Sequence, residues 1–225
     1  MALILNIETA TSVCSVAIAK DGKVIALEES HEGNVHAEKT TRFIQNLFEK
    51  ASLSLSDLDA IAIGSGPGSY TGLRIGTATA KGLCYALGTP LIGISTLKAM
   101  AITAAKKSNR NDVVYCPMID ARRLEVYTAV FDNAGEEILP VQALILDNTS
   151  FAEYKNIAFF GDGMPKMKNL FPIDTSKLWL EDIYASAGNL SALAEEAFIQ
   201  KDFMNLAYYE PFYLKDFVAG KKKTT

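Results

Sequence analysis

Histidine is nearly absent: His31 and His36 are the only two in 225 residues, and tryptophan occurs once. Two histidines five apart do not share a helix face, so the chain offers no H-x-x-x-H or H-E-x-x-H, the spacings that set two imidazoles against one metal. Cysteine is scarce as well. Cys14, Cys84 and Cys116 lie far apart with no C-x-x-C pair, which gives neither a disulfide framework nor a zinc site and suits a reducing compartment. No apolar run approaches the roughly 20 residues of a membrane-spanning helix. The apolar start, MALILNIETATSVCSVAIA, has no basic flank and is broken by Glu8, so it reads as mature protein rather than as a signal peptide. Positive charge is not in excess either. A formal net charge of −4 leaves no broad basic surface for nucleic acid, and the one dense basic run, Lys221-Lys222-Lys223, reads as a solvated tail.

What is present is an ordinary globular composition, 49% apolar and 21% charged, organised around GSGPGSYTGLRIG from Gly64 to Gly76. The apolar run Ala60 to Ile63 before it is short enough for a buried strand. Gly64, Gly66, Pro67, Gly68 and Gly72 then permit a tight turn and close approach of backbone to something else, and a helix follows from about Gly72 to Leu87. The loop has no lysine and Ser69 stands where a third glycine would complete G-x-G-x-x-G, so neither a P-loop nor a dinucleotide fingerprint is present. Only the general affinity of a helix N-terminus for anions remains. That helix carries two charges, Arg74 and Lys81, and repeats small residues at Gly72, Gly76 and Ala80, with Thr79 and Leu83 beside them. A helix without a polar face is expected to be buried on most sides. Its small stripe would admit a second helix, either inside the fold or across a subunit interface.

Taken in order, Leu3 to Glu8, Val13 to Ala19 and Val24 to Glu29 form a three-stranded meander, its second turn made by Asp21-Gly22. The first turn, Glu8 to Ser12, is rich in hydroxyls. Asn34 to Ala51 reads as a helix with Phe43, Ile44, Leu47 and Phe48 on its apolar side. After the glycine-rich unit come a strand at Leu91 to Ile94 and a helix from near Ser95 to the polar linker Ser108 to Asn111, where the lobe boundary is placed: 1–107 and 108–225. The pattern then restarts with strands at Val113 to Ile119, Glu125 to Phe131, Glu136 to Leu139 and Val141 to Leu146. A short helix at Ser150 to Tyr154, a strand at Ile157 to Phe160, a short helix through Leu170, a strand near Leu178 to Leu180 and a helix from about Ser186 to Gln200 complete it.

ILNIETATSVCSVAI, HAEKTTRFI, GSGPGSYTGLRIGTATAKGLCYALGTPLIGIST and IDARRLEVY, in that order, resemble the bacterial TsaB (YeaZ) family of the actin-like ATPase superfamily. The resemblance implies an α/β protein of two actin-like ATPase (ribonuclease H-like) lobes, each a mixed sheet opening with an antiparallel three-stranded meander and flanked by helices, the second lobe reduced. It implies a cytoplasmic, non-catalytic subunit supporting threonylcarbamoyl transfer to the adenosine beside the anticodon in tRNAs reading ANN codons. Such a subunit binds the catalytic paralogue TsaD, works with the ATPase accessory protein TsaE, meets tRNA only through the complex, and forms a homodimer when alone.

In that paralogue an H-x-x-x-H pair holds a metal on the helix after the strand matching Leu91 to Ile94. Those positions are Thr96 and Met100 here, a hydroxyl and a thioether that do not replace two imidazoles. The Asp-x-Gly turn with which actin-like ATPases approach phosphate becomes Glu8-Thr9-Ala10, and in the second lobe Asp120-Ala121-Arg122-Arg123, where Asp120 and Arg122 also suit simple turn capping. Glu8, Thr9 and Asp120 are the residues left to approach a nucleotide, which a subunit junction could also hold; no cofactor is assigned to the chain itself. The expected partner interface is His36, Lys39, Thr40, Phe43, Gly72, Arg74, Gly76, Thr79, Ala80 and Leu83. The alternative is an ATP-binding phosphotransferase or ATPase of the same fold, using Glu8, Asp120 and the glycine loop.

Overall fold

The computed structural model describes residues 2–33, 35–170 and 177–215; the expected helix start at Asn34 and the lysine run 221–223 lie outside them. Ten strands form two five-stranded sheets of the same design. In the first, β1 (Leu3–Glu8), β2 (Cys14–Lys20) and β3 (Lys23–Ser30) are the antiparallel meander, and β4 (Ala60–Gly64) and β5 (Leu91–Ile94) add in parallel on the other side of β1, giving the order β3-β2-β1-β4-β5. In the second, β6 (Val114–Asp120), β7 (Glu125–Phe131) and β8 (Glu137–Ile145) repeat the meander, with β9 (Ile157–Phe160) and β10 (Lys177–Leu180) parallel to β6. The first turn of the chain that needs positive φ has it: Asp21 at 53° and Gly22 at 71° reverse β2 into β3 as a type I′ pair would.

Strand periodicity divides the first core. Leu3, Leu5 and Ile7 of β1 face α1 (His36–Ala51) and α2 (Tyr70–Leu87), whereas Ala2 and Ile4 face α5 (Ala187–Gln200), which covers the opposite side with Leu190 and Ala194. Burial on both faces explains why β1 and β4 read as unbroken apolar runs, and each fully buried leucine or isoleucine among them contributes roughly 1.5–3 kcal/mol. The second sheet is likewise covered twice. Leu97, Met100, Ala101 and Ala104 of α3 (Thr96–Ser108) pack on Tyr115, Ile119 and Phe131, while Met164 and Met167 of α4 (Met164–Leu170) pack on Cys116, Met118 and Phe159.

The helices thus interleave: α3, which follows the first sheet, packs on the second, and α5, which follows the second, returns to the first. A polar knot fastens the return. Glu29 on β3 accepts hydrogen bonds from Ser186 Oγ, from Ser15 Oγ at 2.9 Å and from Tyr184 Oη at 3.0 Å, and Ser15 Oγ in turn accepts from the Ala187 N–H at 3.0 Å.

The lobes match the expected two-unit α/β architecture, and the reduction of the second is in its helices: α4 has 7 residues where α2 has 18. Three local readings are corrected. The strands expected at Glu136 to Leu139 and Val141 to Leu146 are one strand, β8, running through Pro140. It lies at the sheet edge, where a missing N–H removes no ladder bond, and its pairing with β7 shifts register around Val130. Residues 150 to 154 form turns rather than a helix, with Phe151 at φ 64° and buried against Phe159. And α2 is not buried on most sides: Thr71, Arg74, Ala78, Gly82 and Tyr85 are exposed along one flank. That flank carries one charge, so composition alone does not mark it as outward.

All three thiols are buried, and burial pushes Cys84 up to about 11 and Cys116 up to about 12. A thiolate is the reactive form. The native protein is therefore expected to give no fast reaction with a disulfide-exchange reagent at pH 8 and three equivalents once unfolded; a fast equivalent in the native state would contradict the packing.

Candidate functional site

The glycine-rich unit seats α2 on the first turn of the chain. Ser69 caps the helix, its Oγ accepting from the Gly72 N–H at 3.2 Å, and the Ser69 N–H donates to the Ala10 carbonyl at 2.6 Å. A Cβ on Gly68 would collide with Ala10, one on Gly72 with the Thr9 carbonyl, and one on Gly76 with the Thr9 hydroxyl. The small stripe Gly72, Gly76, Ala80 therefore points inward, Ala80 being fully buried. It receives the β1–β2 turn and not a partner, a correction to its expected place at the interface.

Glu8 and Thr9 are corrected as nucleotide candidates for the same reason. Glu8 is completely buried; its Oε1 accepts from the Thr9 and Ala10 N–H groups at 2.8 Å each and its Oε2 accepts from Thr96 Oγ1 at 2.9 Å. The carboxyl lies against Gly64, where any Cβ would overlap it. Burial pushes its pKa up, opposed by those hydrogen bonds. Thr9 is fully buried, and its Oγ1 has no hydrogen-bond partner. Thr96 serves Glu8 and also accepts from the Gly66 N–H at 3.3 Å, while Met100 belongs to the second core.

Asp120 does reach the cleft between the lobes, a cavity of about 670 Å³ that Ser12, His36, Ser69, Arg122 and Asp162 also line. Its Oδ1 accepts from the Arg122 N–H at 2.5 Å and from Lys166 Nζ at 2.8 Å, and its own N–H donates to Asp162 Oδ1 at 3.0 Å. Asp120 thus caps its own turn. Arg122 and Arg123 take φ of 70° and 53°, values that side chains other than glycine rarely adopt.

A different concavity lies between α1 and α2. It measures about 600 Å³ and is lined by Thr41, Ile44, Phe48, Leu53, Thr79 and Leu83, with Gln45 and Glu49 as its polar members. Of the ten expected interface residues, Thr79 and Leu83 line this groove. His36 opens α1 and is 7% exposed beside the cleft; Thr40 is buried, its Oγ1 donating to the His36 carbonyl at 2.6 Å; Lys39 pairs with Glu32 at 2.6 Å; Phe43 packs on the first core. Arg74 is exposed, its guanidinium 5.1 Å from the Tyr70 ring centroid. The α1 contributors Thr41, Ile44 and Phe48 were missed as a lining, although Ile44 and Phe48 stand four apart on the apolar side already visible in the sequence.

Two sheets in the order 3-2-1-4-5, facing each other across a cleft, define an actin-like ATPase-type fold. An activator of 2-hydroxyisocaproyl-CoA dehydratase from Clostridium difficile, with bound ADPNP, shares it at a TM-score of 0.51 and 12% identity, over 90% of this chain and 98% of that one. Residues 30–221 match the family model described as TsaD, tRNA N6-adenosine threonylcarbamoyltransferase. The tRNA threonylcarbamoyladenosine biosynthesis protein TsaB of Escherichia coli is 33% identical over 97% of both chains, and YeaZ from Pseudomonas aeruginosa superposes with a TM-score of 0.81 at 26% identity, over 95% of this chain and all of that one. The chain belongs to this family, among its TsaB (YeaZ) members.

Proposed function

We propose that the chain takes part in forming threonylcarbamoyladenosine in tRNA as a non-catalytic subunit that docks the catalytic paralogue TsaD through α1 and α2. The observation that carries this reading is the apolar groove between the two helices, bordered by the uncharged, small-residue flank Ala78, Thr79 and Gly82. Helices that expose small and apolar residues without charge bury them against a partner helix. The absorption of Glu8 and Thr9 into the core, and of Asp120 into a turn cap, supports a role without chemistry of its own. In this reading TsaE and tRNA are met only through the complex, the chain pairs with itself when TsaD is missing, and it works in the cytoplasm; among the described residues no helix is long and apolar enough to cross a membrane.

Leu83→Glu tests the reading, because it places a carboxylate in the groove while changing a half-buried side chain. The expected result is a folded protein that no longer co-elutes with TsaD and no longer supports product formation on tRNA in a mixture of TsaD, TsaE and the threonylcarbamoyl-adenylate-forming enzyme. A folded Leu83→Glu protein with full activity would sink it. The phosphotransferase alternative predicts magnesium-dependent nucleotide binding that Asp120→Ala abolishes.

A further inference from the structure

A second cavity, of about 500 Å³, lies on the other side of α2, between that helix and the segment 204–215. It is separate from the groove and shares only Tyr70, Tyr213 and Lys215 with the cleft between the lobes. Lys81 ties the two walls together, its Nζ donating to the carbonyls of Tyr209 at 3.1 Å and Ala207 at 3.3 Å. Tyr70 and Tyr213 stand with ring centroids 4.8 Å apart at 40°, and the Arg74 guanidinium sits over Tyr70.

Two hydroxyls lining this cavity are orphaned. Thr77, 7% exposed, has no hydrogen-bond partner for Oγ1, and neither does the buried Tyr209 hydroxyl. Thr77 is not following a helical habit, because Thr79 and Thr103 both return their hydroxyls to the carbonyl four residues back, at 2.9 Å each. Buried polar atoms without partners are rare and call for an explanation, a ligand among them. The charges point the same way. Among the described residues neither Arg74 nor Lys81 has a carboxylate within 4.0 Å, Lys81 spends its donors on neutral carbonyls, and Glu210 is the one acid among the lining residues. Aromatic surface, orphan hydroxyls and two cations without counterions match a ligand that is flat, bears heteroatoms and is negatively charged.

We propose that this cavity binds a nucleotide unit, its base against the tyrosines and its phosphate on Arg74 and Lys81, with Thr77 and Tyr209 meeting base or ribose heteroatoms. The inference does not depend on the role proposed in tRNA modification. It is tested by calorimetric titration of the full chain with adenosine monophosphate, adenosine, inorganic phosphate and a short oligoadenylate.

Adenosine monophosphate is expected to bind, with adenosine and phosphate each weaker by about ten-fold or more, since each lacks one half of the recognition. Arg74→Ala should weaken binding about ten-fold, and the near-isosteric Thr77→Val several-fold without lowering the melting temperature. Arg122→Ala, across the cleft, should change nothing. Binding of the oligoadenylate alone, with the same dependence on Arg74, would identify the source as an RNA strand and still support the site. The proposal is overturned if neither ligand binds, or if binding falls with Arg122→Ala and survives Arg74→Ala.

Discussion

Gly72→Ala and Gly82→Ala, ten residues apart on α2, are expected to move stability in opposite directions. A Cβ on Gly72 would fall well inside 3.0 Å of the Thr9 carbonyl oxygen, a backbone atom held by the β1–β2 turn, whereas a Cβ on Gly82 meets nothing within 4 Å. At Gly72 the helix must lift from the turn or the turn must shift, so the cost belongs at the upper end of the 1–3 kcal/mol typical of overpacking, about 3 kcal/mol or more. At Gly82 nothing opposes the ordinary advantage of alanine over glycine in a helix, about 0.8–1.0 kcal/mol. For a chain of this size the pair should separate by roughly 8–16 °C in melting temperature, Gly72→Ala below the parent and Gly82→Ala above it. Equal responses would mean that α2 is not seated on Thr9. The contrast also guards the docking proposal, because a bulky residue at Gly76 or Ala80 would break the monomer and say nothing about a partner.

The same helix shows how far sequence reading reaches. Periodicity gathers Gly72, Gly76 and Ala80 onto one stripe, but it does not tell which way a stripe points. Charge usually decides that, and here the outward flank of Thr71, Ala78, Gly82 and Tyr85 carries none beyond Arg74, so small residues face both the core and the surface. The partner that fixes the direction, Thr9, is more than sixty positions away, and no local pattern reports it. The knot of Ser15, Glu29 and Ser186, which brings α5 back to the first sheet, escapes for the same reason. Pro140 misled in the opposite way: it is a strong local signal, and an edge strand simply tolerates it. Glu8, by contrast, was within reach. On a strand of period two it shares a face with Ile4 and Asn6, both fully or almost fully buried beneath α5, so its side chain belongs to the core and not to the cleft. The double meander, the glycine unit and the strand order survived because each rests on local signals: short apolar runs, Asp-Gly, Ser caps and a Gly at the helix end.

Glu8→Ala is expected to destabilise the protein by about 3 kcal/mol or more, whereas Glu8→Gln is expected to fold as well as the parent. Alanine strands three donors, the N–H groups of Thr9 and Ala10 and the Thr96 hydroxyl, each costing about 1–3 kcal/mol when buried and unpaired. Glutamine keeps one carbonyl oxygen for the two backbone donors and offers its amide to Thr96 Oγ1, which can accept. The pH dependence separates shape from charge. Burial raises the folded pKa of Glu8 above its ordinary value of 4.5, so in the folded state the proton is held more tightly than in the unfolded chain. The stability this confers is fully present below pH 4.5 and is lost as pH rises through the raised folded value. Urea melts from pH 4 upward should therefore show a downward slope in the parent that is shallower in Glu8→Gln. Asp162, also raised by burial, keeps a residual slope of the same sign in both. If Glu8→Gln is as unstable as Glu8→Ala, the negative charge itself holds the turn, and the carboxylate then acts as an anchor that needs ionisation rather than as a neutral acceptor. If instead Glu8→Gln folds normally and product still forms on tRNA in the reconstituted mixture, Glu8 is the peg on which the glycine-rich unit hangs and takes no part in chemistry.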